Sequence, residues 1–314
     1  MDWPLPRACS RSRWPTWPLL PRAGRVPEGP AAGLRQTAAG AFARLPAPTR
    51  RAILHALGKY APWETGFDPT PPAPRDQEVP ASPDFVGIGA QKAGTTWWYD
   101  VVCAHPRVYT RADIHKERHY FGRFATVPFG PAERERYAHW FPRPPGRMGG
   151  EWTPDYLHLP WVPPLMAQAA PAARLLVLVR DPVERFRSGL AHYRRDRGRL
   201  DVDAYQDAVT RGLYHSALCR WLRHFEAGQI LVLQYEACAA DPEEQLARTL
   251  EFLGLDPFRH DDIATPVNAT AHSVDLDPDV RRRLVEVYTA DVRALCKSFP
   301  ELDLGLWPNF ADLD

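Results

Sequence analysis

The sequence predicts an α/β fold, a three-layer α/β/α domain with a mainly parallel central sheet. Three short apolar runs predict buried strands, and a segment with helical spacing follows each of them. These runs are Phe85–Gly89, Arg174–Val179 and Gln229–Tyr235. Strands that alternate with helices are joined by crossovers, which bring the strands together in parallel. With 314 residues, 45% of them hydrophobic, the chain is large enough to bury the core of such a domain.

Each of the first two strands leads into a helix. After the first strand, residues 95–103 have helical spacing until His105-Pro106 interrupts it. After the second strand, a helix runs from Pro182 to about Arg195. Proline suits the first helical turn because the backbone N–H groups there have no partner within the helix. The sequence thus predicts two strand–loop–helix units in succession.

A third unit and a closing helix complete the predicted domain. Asp241 caps a helix after the third strand, and Gly254 ends it. A last helix is predicted over about Pro278–Ser298. We therefore assign residues 84–314 to one domain.

The first 83 residues differ in composition from this domain. Residues 1–50 contain nine of the 34 prolines and eight arginines against two acidic residues, a local charge of +6. Such a segment buries too little apolar surface to offset the entropy of ordering it. Residues 1–83 are predicted to be disordered or extended, with one short helix near 48–60.

Charge, cysteine usage and hydropathy exclude several classes of protein. The formal net charge of +1 gives no reason to expect a nucleic acid as partner. Five cysteines without a CxxC pair predict reduced thiols rather than a zinc ribbon or a disulfide framework. The longest aliphatic run, residues 175–179, is far shorter than the roughly 20 residues that span a bilayer. We predict a soluble, cytoplasmic protein without a membrane partner, and its oligomeric state stays open. A transit peptide at the arginine-rich start is a weaker alternative, because the many prolines there would break the amphipathic helix that such peptides form.

The loop between the first strand and its helix is rich in small and hydroxyl residues. Within Gly89–Thr96, Lys92 adds a positive charge, Gly94 permits close approach, and the backbone N–H groups of the helix start point outward. This combination favours a phosphate or sulfate group as ligand. It is not a Walker A loop, because Lys92 precedes Gly94 instead of following a glycine directly. A tight turn with an exposed lysine is the alternative.

Two motifs, found in the expected order, resemble those of sulfotransferases that use 3′-phosphoadenosine 5′-phosphosulfate (PAPS). Lys92–Thr96 resembles the loop that binds the 5′-phosphosulfate, and Arg180–Ser188 resembles the motif that binds the 3′-phosphate. The similarity is greatest to the branch of the heparan sulfate N- and 3-O-sulfotransferases, and the chain resembles a soluble bacterial member of it. Further matching stretches are Lys116–Phe121, Gly150–Tyr156 and Leu213–His215, followed by Trp221-Leu222. The resemblance implies a P-loop-like fold.

The resemblance also implies a role for each matching residue. Lys92 would bind the phosphosulfate and stabilise negative charge on the leaving group. The other residues expected to bind the donor nucleotide are Ala93, Gly94, Thr95, Thr96, Arg180, Ser188 and Tyr214. The donor would be PAPS, the product 3′-phosphoadenosine 5′-phosphate (PAP), and no metal is expected.

Glu117 aligns with the general base of this branch, and we give His119 a supporting role. A carboxylate within hydrogen-bond reach removes the proton of the attacking hydroxyl as the S–O bond forms. The choice between Glu117 and His119 as base stays open, because many sulfotransferases outside the branch use histidine. A Lys-Glu-Arg run is otherwise typical of a solvated surface. A metal site of His115, Glu117 and His119 is a weaker alternative, because the pattern is not His-Glu-x-x-His.

The sequence departs from this branch on the expected acceptor side. Trp152 stands where the heparan enzymes have a lysine, which argues against heparan as acceptor. Asn268–Thr270 stands where the relatives have a Lys-Gly-Arg loop that closes on the nucleotide. Aromatic side chains that can stack on a sugar or an aromatic natural product, although most are expected in the core, are Trp97, Trp98, Trp140, Trp152, Tyr156 and Trp161.

The sequence therefore predicts transfer of a sulfuryl group from PAPS to a hydroxyl, or less readily an amine, of a carbohydrate or natural product. A P-loop-like kinase is one alternative, because the anion-binding loop suits any nucleotide phosphate. A magnesium requirement distinguishes it, since phosphoryl transfer nearly always needs a metal. A non-catalytic binding or scaffold protein on the same fold is the other alternative, and it has no need of a base such as Glu117.

Overall fold

The computed structural model describes residues 45–46, 49, 53, 70–197, 200–263 and 274–313. The chain divides into two compact units, residues 1–64 and 65–314. The Asn268–Thr270 loop lies outside the described residues, as do most of the helix expected near 48–60 and most of the segment predicted to be disordered or extended.

The described part of the second unit alternates strands with helices along most of its length. The strands are β1 (Val79–Pro80), β2 (Phe85–Gly89), β3 (Pro142–Arg143), β4 (Gly150–Trp152), β5 (Arg174–Val179) and β6 (Ile230–Gln234). The helices are α1 (Thr95–Cys103), α2 (Pro131–Ala138), α3 (Val162–Ala169), α4 (Pro182–Arg197), α5 (Val202–Thr210), α6 (Tyr214–Trp221), α7 (Tyr235–Ala240), α8 (Pro242–Leu253) and α9 (Pro278–Ser298). Short 3₁₀ helices cover Phe121–Ala125, Pro154–Leu157, Ala227–Gln229 and Leu304–Leu306.

Four strands form a parallel sheet in the order β4-β2-β5-β6. Phe85 of β2 lies opposite Gly150 of β4 on one side and Arg174 of β5 on the other. β5 pairs with β6 along Leu175–Val179. The inner strands β2 and β5 are almost entirely buried, which is why their sequences are continuously apolar. The predicted α/β fold with a parallel central sheet is confirmed.

The strands that the sequence did not reveal are very short. β4 has three residues, and β1 and β3 have two each and pair with one another antiparallel. Two or three residues are too few for an alternating or continuous apolar pattern to be recognised.

The helices predicted within residues 84–314 are confirmed nearly to their ends. The Asp241 side chain accepts a hydrogen bond from the Glu244 backbone N–H (3.1 Å) and so caps α8. Gly254 ends that helix in the left-handed conformation, at φ 66°, which glycine adopts without a steric cost. α4 runs to Arg197 rather than to about Arg195. Local capping chemistry therefore fixed these boundaries.

Two adjacent tryptophans tie α1 to the C-terminal half of the sheet domain. Trp97 and Trp98 are buried, with ring centroids 5.1 Å apart in an edge-to-face arrangement. Their indole N–H groups donate to the Ile263 carbonyl (2.9 Å) and to Thr249 Oγ1 on α8 (3.2 Å). Among the helices described, none is both long and apolar enough to cross a membrane.

Residues upstream of Asp84 also contact the domain. The Glu78 side chain is buried and accepts hydrogen bonds from the Tyr109 hydroxyl (2.6 Å) and from Arg111 Nη1 (2.9 Å). Arg111 is buried as well and pairs with Asp113 through Nη2 (2.6 Å). The packed part of the second unit therefore extends upstream of residue 84.

Candidate active site

The candidate site lies along the edge at which the parallel strands end. β2, β4, β5 and β6 run in the same direction, so the residues that follow them share one edge of the sheet. Lys92 follows β2, Thr153 follows β4, Arg180 follows β5 and Tyr235 follows β6. In open parallel sheets, ligands bind in the crevice outside this edge.

The backbone of the loop after β2 has two residues in the left-handed region. Lys92 has φ 68° and Gly94 has φ 87°. A Cβ atom on Gly94 would lie 2.6 Å from Cδ2 of Tyr235, so the close packing of the loop on Tyr235, the first residue of α7, requires glycine here. Gly94 is also the N-cap of α1 and has no side chain with which to cap the first-turn N–H groups. Those donors are therefore available to an anion.

The predicted loop residues differ in exposure. Ala93 and Thr95 are buried, whereas Lys92, Gly94 and Thr96 are half-buried. The Ala90 backbone N–H, at the start of the loop, donates to the Leu178 carbonyl of β5 (2.8 Å). The loop is thereby attached to β5, the strand that Arg180 directly follows.

The Arg180 side chain lies beside the loop and contacts the ring of Tyr235. Its guanidinium carbon is 5.0 Å from the ring centroid of Tyr235, within the range of a cation–π contact. Among the residues that the structure describes, no carboxylate pairs with that guanidinium at ion-pair distance. The hydroxyl of the buried Tyr214 donates to the Arg180 carbonyl (3.0 Å). Ser188 is buried within α4, the helix that begins at Pro182. The structure thus joins Arg180 and Tyr214 directly.

Glu117 and His119, the predicted base and its supporting residue, form an ion pair. His119 Nε2 lies 3.2 Å from Glu117 Oε2, and Lys116 Nζ lies 3.0 Å from Glu117 Oε1. Burial alone raises the pKa of Glu117, but the neighbouring His119 and Lys116 outweigh it and lower that pKa to about 2. Glu117 in turn raises the pKa of His119. Glu117 is therefore ionised across the physiological range.

Backbone hydrogen bonds attach this segment to β4 at the end of the strand. The Trp152 N–H donates to the Lys116 carbonyl (3.0 Å), and the Arg118 N–H donates to Glu151 Oε2 (3.1 Å) and Thr153 Oγ1 (3.0 Å). Because β4 neighbours β2, the Glu117 segment and the Lys92 loop belong to the same edge of the sheet.

The segment around Glu117 is irregular, not helical. His115 and His119 therefore do not share a helix face, which removes the geometric basis of a metal site built on i, i+4 histidines. The His115 ring instead accepts from the backbone N–H of Glu117 through Nδ1 (3.1 Å).

Most of the aromatic candidates for acceptor contacts lie in the core. Trp97, Trp98, Trp152 and Tyr156 are buried. Trp152 Nε1 donates to the Gly89 carbonyl (3.1 Å), and its ring occupies the space beside Gly87 that a Cβ would need. The candidates that remain partly exposed are Trp140 and Trp161.

Sequence reasoning missed four residues beside the site: Asp155, Arg211, Tyr235 and Glu236. Tyr235 and Glu236 directly follow the third predicted strand, so the rule that ligands lie at strand ends would have drawn attention to both. Glu236 Oε1 accepts from the Asp181 N–H (3.0 Å), and Asp155 pairs with His119. No local pattern links Arg211 to Asp155, because they are far apart in sequence.

The sequence matches a known protein family and is similar to several characterised proteins. The sulfotransferase domain family matches residues 82–267, more than half of the chain. Mouse heparan sulfate glucosamine 3-O-sulfotransferase 3B1 is 32% identical over 188 residues, which cover 55% of this chain and 46% of that protein. Human heparan sulfate glucosamine 3-O-sulfotransferase 6 is 31% identical over 191 residues, covering 55% and 52%. The chain thus spans about half the length of these relatives.

A solved structure supports the same relationship. The crystal structure of a sulfotransferase from Alicyclobacillus acidocaldarius matches with a TM-score of 0.58 and 25% sequence identity. The match covers 72% of this chain and 99% of that one.

Proposed function

Because the chain belongs to the sulfotransferase family, we propose that it transfers a sulfuryl group from PAPS to a hydroxyl of a carbohydrate or natural product, an amine being the less favoured acceptor. The observation that carries this proposal is the shared strand edge at which the Lys92 loop, Arg180 and the Glu117–His119 pair occur. The loop and Arg180 supply positive groups that can bind a nucleotide donor. The Glu117 carboxylate supplies a base for the acceptor proton.

The two ends of the donor are assigned to different groups. Lys92 and the N–H groups of Ala93–Thr96 bind the 5′-phosphosulfate, supported by the uncapped N-terminus of α1. Arg180 and Ser188 bind the 3′-phosphate, because a guanidinium fork and a hydroxyl suit a dianionic cluster of oxygens. Tyr214 lies next to the nucleotide and holds the Arg180 backbone in place.

In the transfer step, the acceptor oxygen forms a bond to sulfur while the bond between sulfur and the bridging oxygen of the donor breaks. Glu117 takes the acceptor proton, and PAP leaves with the electron pair of the broken bond. Lys92 stabilises the negative charge that builds on the bridging oxygen. His119 orients Glu117 through their ion pair.

The acceptor we favour is not heparan. Trp152, which replaces the lysine of the heparan enzymes, is buried and hydrogen-bonded to the Gly89 carbonyl, so it offers the acceptor neither a charge nor an exposed ring. A neutral sugar or natural-product hydroxyl needs no cation at this position.

Calorimetric titration without added metal tests the donor assignment. PAP, adenosine 5′-phosphate and ATP with and without magnesium are compared on the full chain. We expect micromolar binding of PAP, about −8 kcal/mol, and loss of that binding when the 3′-phosphate is missing. Equal binding of ATP with magnesium would favour the kinase alternative, and no binding of any nucleotide would favour a scaffold.

A further inference from the structure

His119 is held between two carboxylates. Its Nε2 faces Glu117 Oε2 at 3.2 Å, and its Nδ1 faces Asp155 Oδ2 at 3.5 Å. Carboxylate oxygens only accept hydrogen bonds, whereas a neutral imidazole has one donor and one acceptor nitrogen. Only the imidazolium presents an N–H group to both sides. The geometry around His119 therefore favours its charged form.

Asp155 is itself fixed by a second cation. Its other oxygen, Oδ1, lies 2.6 Å from Arg211 Nη1, and Arg211 Nε lies 2.5 Å from Asp207 Oδ2. The Tyr193 hydroxyl also donates to Asp207 Oδ2. The Arg211 side chain is 12% exposed, so water screens its pairs less than it screens surface pairs.

These contacts form a continuous series of alternating charges from the loop before the first 3₁₀ helix to the end of α5. The order is Glu117, His119, Asp155, Arg211 and Asp207. Each charge in the interior of this series has an opposite charge on both sides. Within this series, His119 is the residue that lies between Asp155 and Glu117.

We propose that Asp155, held by Arg211, is a positioning residue that keeps His119 as an imidazolium and thereby fixes the orientation of the Glu117 carboxylate. This inference rests on the proposed function, in which Glu117 accepts the acceptor proton. Asp155 acts through His119 and is not assigned any contact with the donor or acceptor.

Three carboxylates near His119 act in the same direction. Glu117 on its own segment, Asp155 on the 3₁₀ helix after β4, and the buried Glu151 of β4 all raise the pKa of His119, while burial opposes them. The imidazolium is present below this pKa and is lost as the pH rises through it. Turnover should therefore decline on the alkaline side with the pKa of His119.

The test combines nuclear magnetic resonance with kinetics on the full chain. Imidazole ¹H–¹⁵N spectra follow His119 against pH, with its signal assigned from a His119→Gln variant. Asp155→Asn removes the charge with little change of shape, Asp155→Glu restores it, and Asp261→Asn removes an exposed carboxylate elsewhere as control. We expect the His119 titration midpoint to fall in Asp155→Asn, to recover in Asp155→Glu and to be unchanged in Asp261→Asn.

Kinetics then separate positioning from a general loss of structure. In Asp155→Asn, kcat at mildly alkaline pH should fall about tenfold, as expected when a general base is misaligned but present. The KM for PAPS should stay the same, and the alkaline limb of kcat should move to lower pH together with the His119 midpoint. An unchanged midpoint, or a limb that does not follow it, overturns the proposal. If the unsubstituted chain transfers no sulfuryl group, the proposed function fails, while the midpoint still decides whether Asp155 holds the imidazolium.

Discussion

Glu117 carries its negative charge between Lys116 and His119, and these neighbours set its basicity in the role we propose for it. They lower its pKa to about 2 despite burial, so the carboxylate is always ready to accept a proton but is intrinsically weak. In the proposed mechanism a weak base is adequate, because the acceptor hydroxyl becomes far more acidic as its oxygen bonds to sulfur. The proposal implies that the proton is transferred late, when the transition state already carries charge.

Replacing the Glu117 carboxylate by an amide tests its role. Glu117→Gln keeps the shape but cannot accept the proton, so turnover should fall by about 100-fold or more. PAP affinity should be nearly unchanged, because the carboxylate is not assigned to the donor. The measurement is steady-state transfer together with calorimetry, and Glu286→Gln, an exposed glutamate on α9, is the control. Near-normal turnover in Glu117→Gln would refute the assignment and favour His119 as base.

Replacement of Arg180 tests the proposed contact with the 3′-phosphate of the donor. Arg180→Ala removes a charge-assisted contact to the 3′-phosphate, and the expected loss in PAP binding is about 1.5 to 3 kcal/mol, roughly tenfold to more than 100-fold in affinity. Calorimetry measures this loss against Arg282→Ala, an exposed arginine whose pair with Asp279 lies at the surface. Unchanged PAP affinity in Arg180→Ala would contradict a phosphate contact.

The segment after α9 forms hydrogen bonds with residues at the end of β6, on the edge of the sheet where the candidate site lies. Gln234, the last residue of β6, exchanges two hydrogen bonds with the Asp303 backbone (2.8 and 2.9 Å). Trp307 is fully buried, and its Nε1 donates to Glu236 Oε2 (2.9 Å). This segment lies beyond residue 267, where the family match ends. It supports the site from outside the region that carries the family's motifs.

Asn309 contacts Asp181, the residue directly after Arg180 in the proposed 3′-phosphate site. Its backbone N–H and its side-chain amide both donate to Asp181 Oδ2 (3.1 and 2.9 Å), and Asp181 is fully buried directly after Arg180. Asn309→Ala leaves that buried carboxylate short of a donor, at an expected cost of about 1 to 3 kcal/mol in the free energy of unfolding. PAP binding should weaken as well, because Asp181 no longer fixes the turn that holds Arg180.

Denaturant unfolding and calorimetry measure these two effects, with Asp312→Ala as an exposed control in the same segment. A variant Asn309→Ala as stable as the unsubstituted chain would show that Asp181 does not depend on this contact. Lower stability with unchanged PAP affinity would show that the segment supports the fold but not the site.

The sequence predicted features that depend on neighbouring residues and missed contacts between residues that are distant in the chain. The inner strands β2 and β5 were predicted because burial on both faces gives continuous apolar runs. The short β4 has no such run, although it holds the Glu117 segment. The pairing of Asp155 with Arg211 joins positions that only the fold brings together. Motif positions were therefore predictable, whereas the side chains that orient them were not.

Fragments of the chain can test where the folded domain begins. Glu78 neutralises and hydrogen-bonds the buried Arg111, and β1 pairs with β3. A fragment of residues 84–314 leaves Arg111 without Glu78, so its free energy of unfolding should be about 1 to 3 kcal/mol lower than that of residues 70–314. Glu78→Gln within 70–314 isolates the part due to charge, because it retains the strand pairing. Equal unfolding midpoints for the two fragments would instead support Asp84 as the start of the domain.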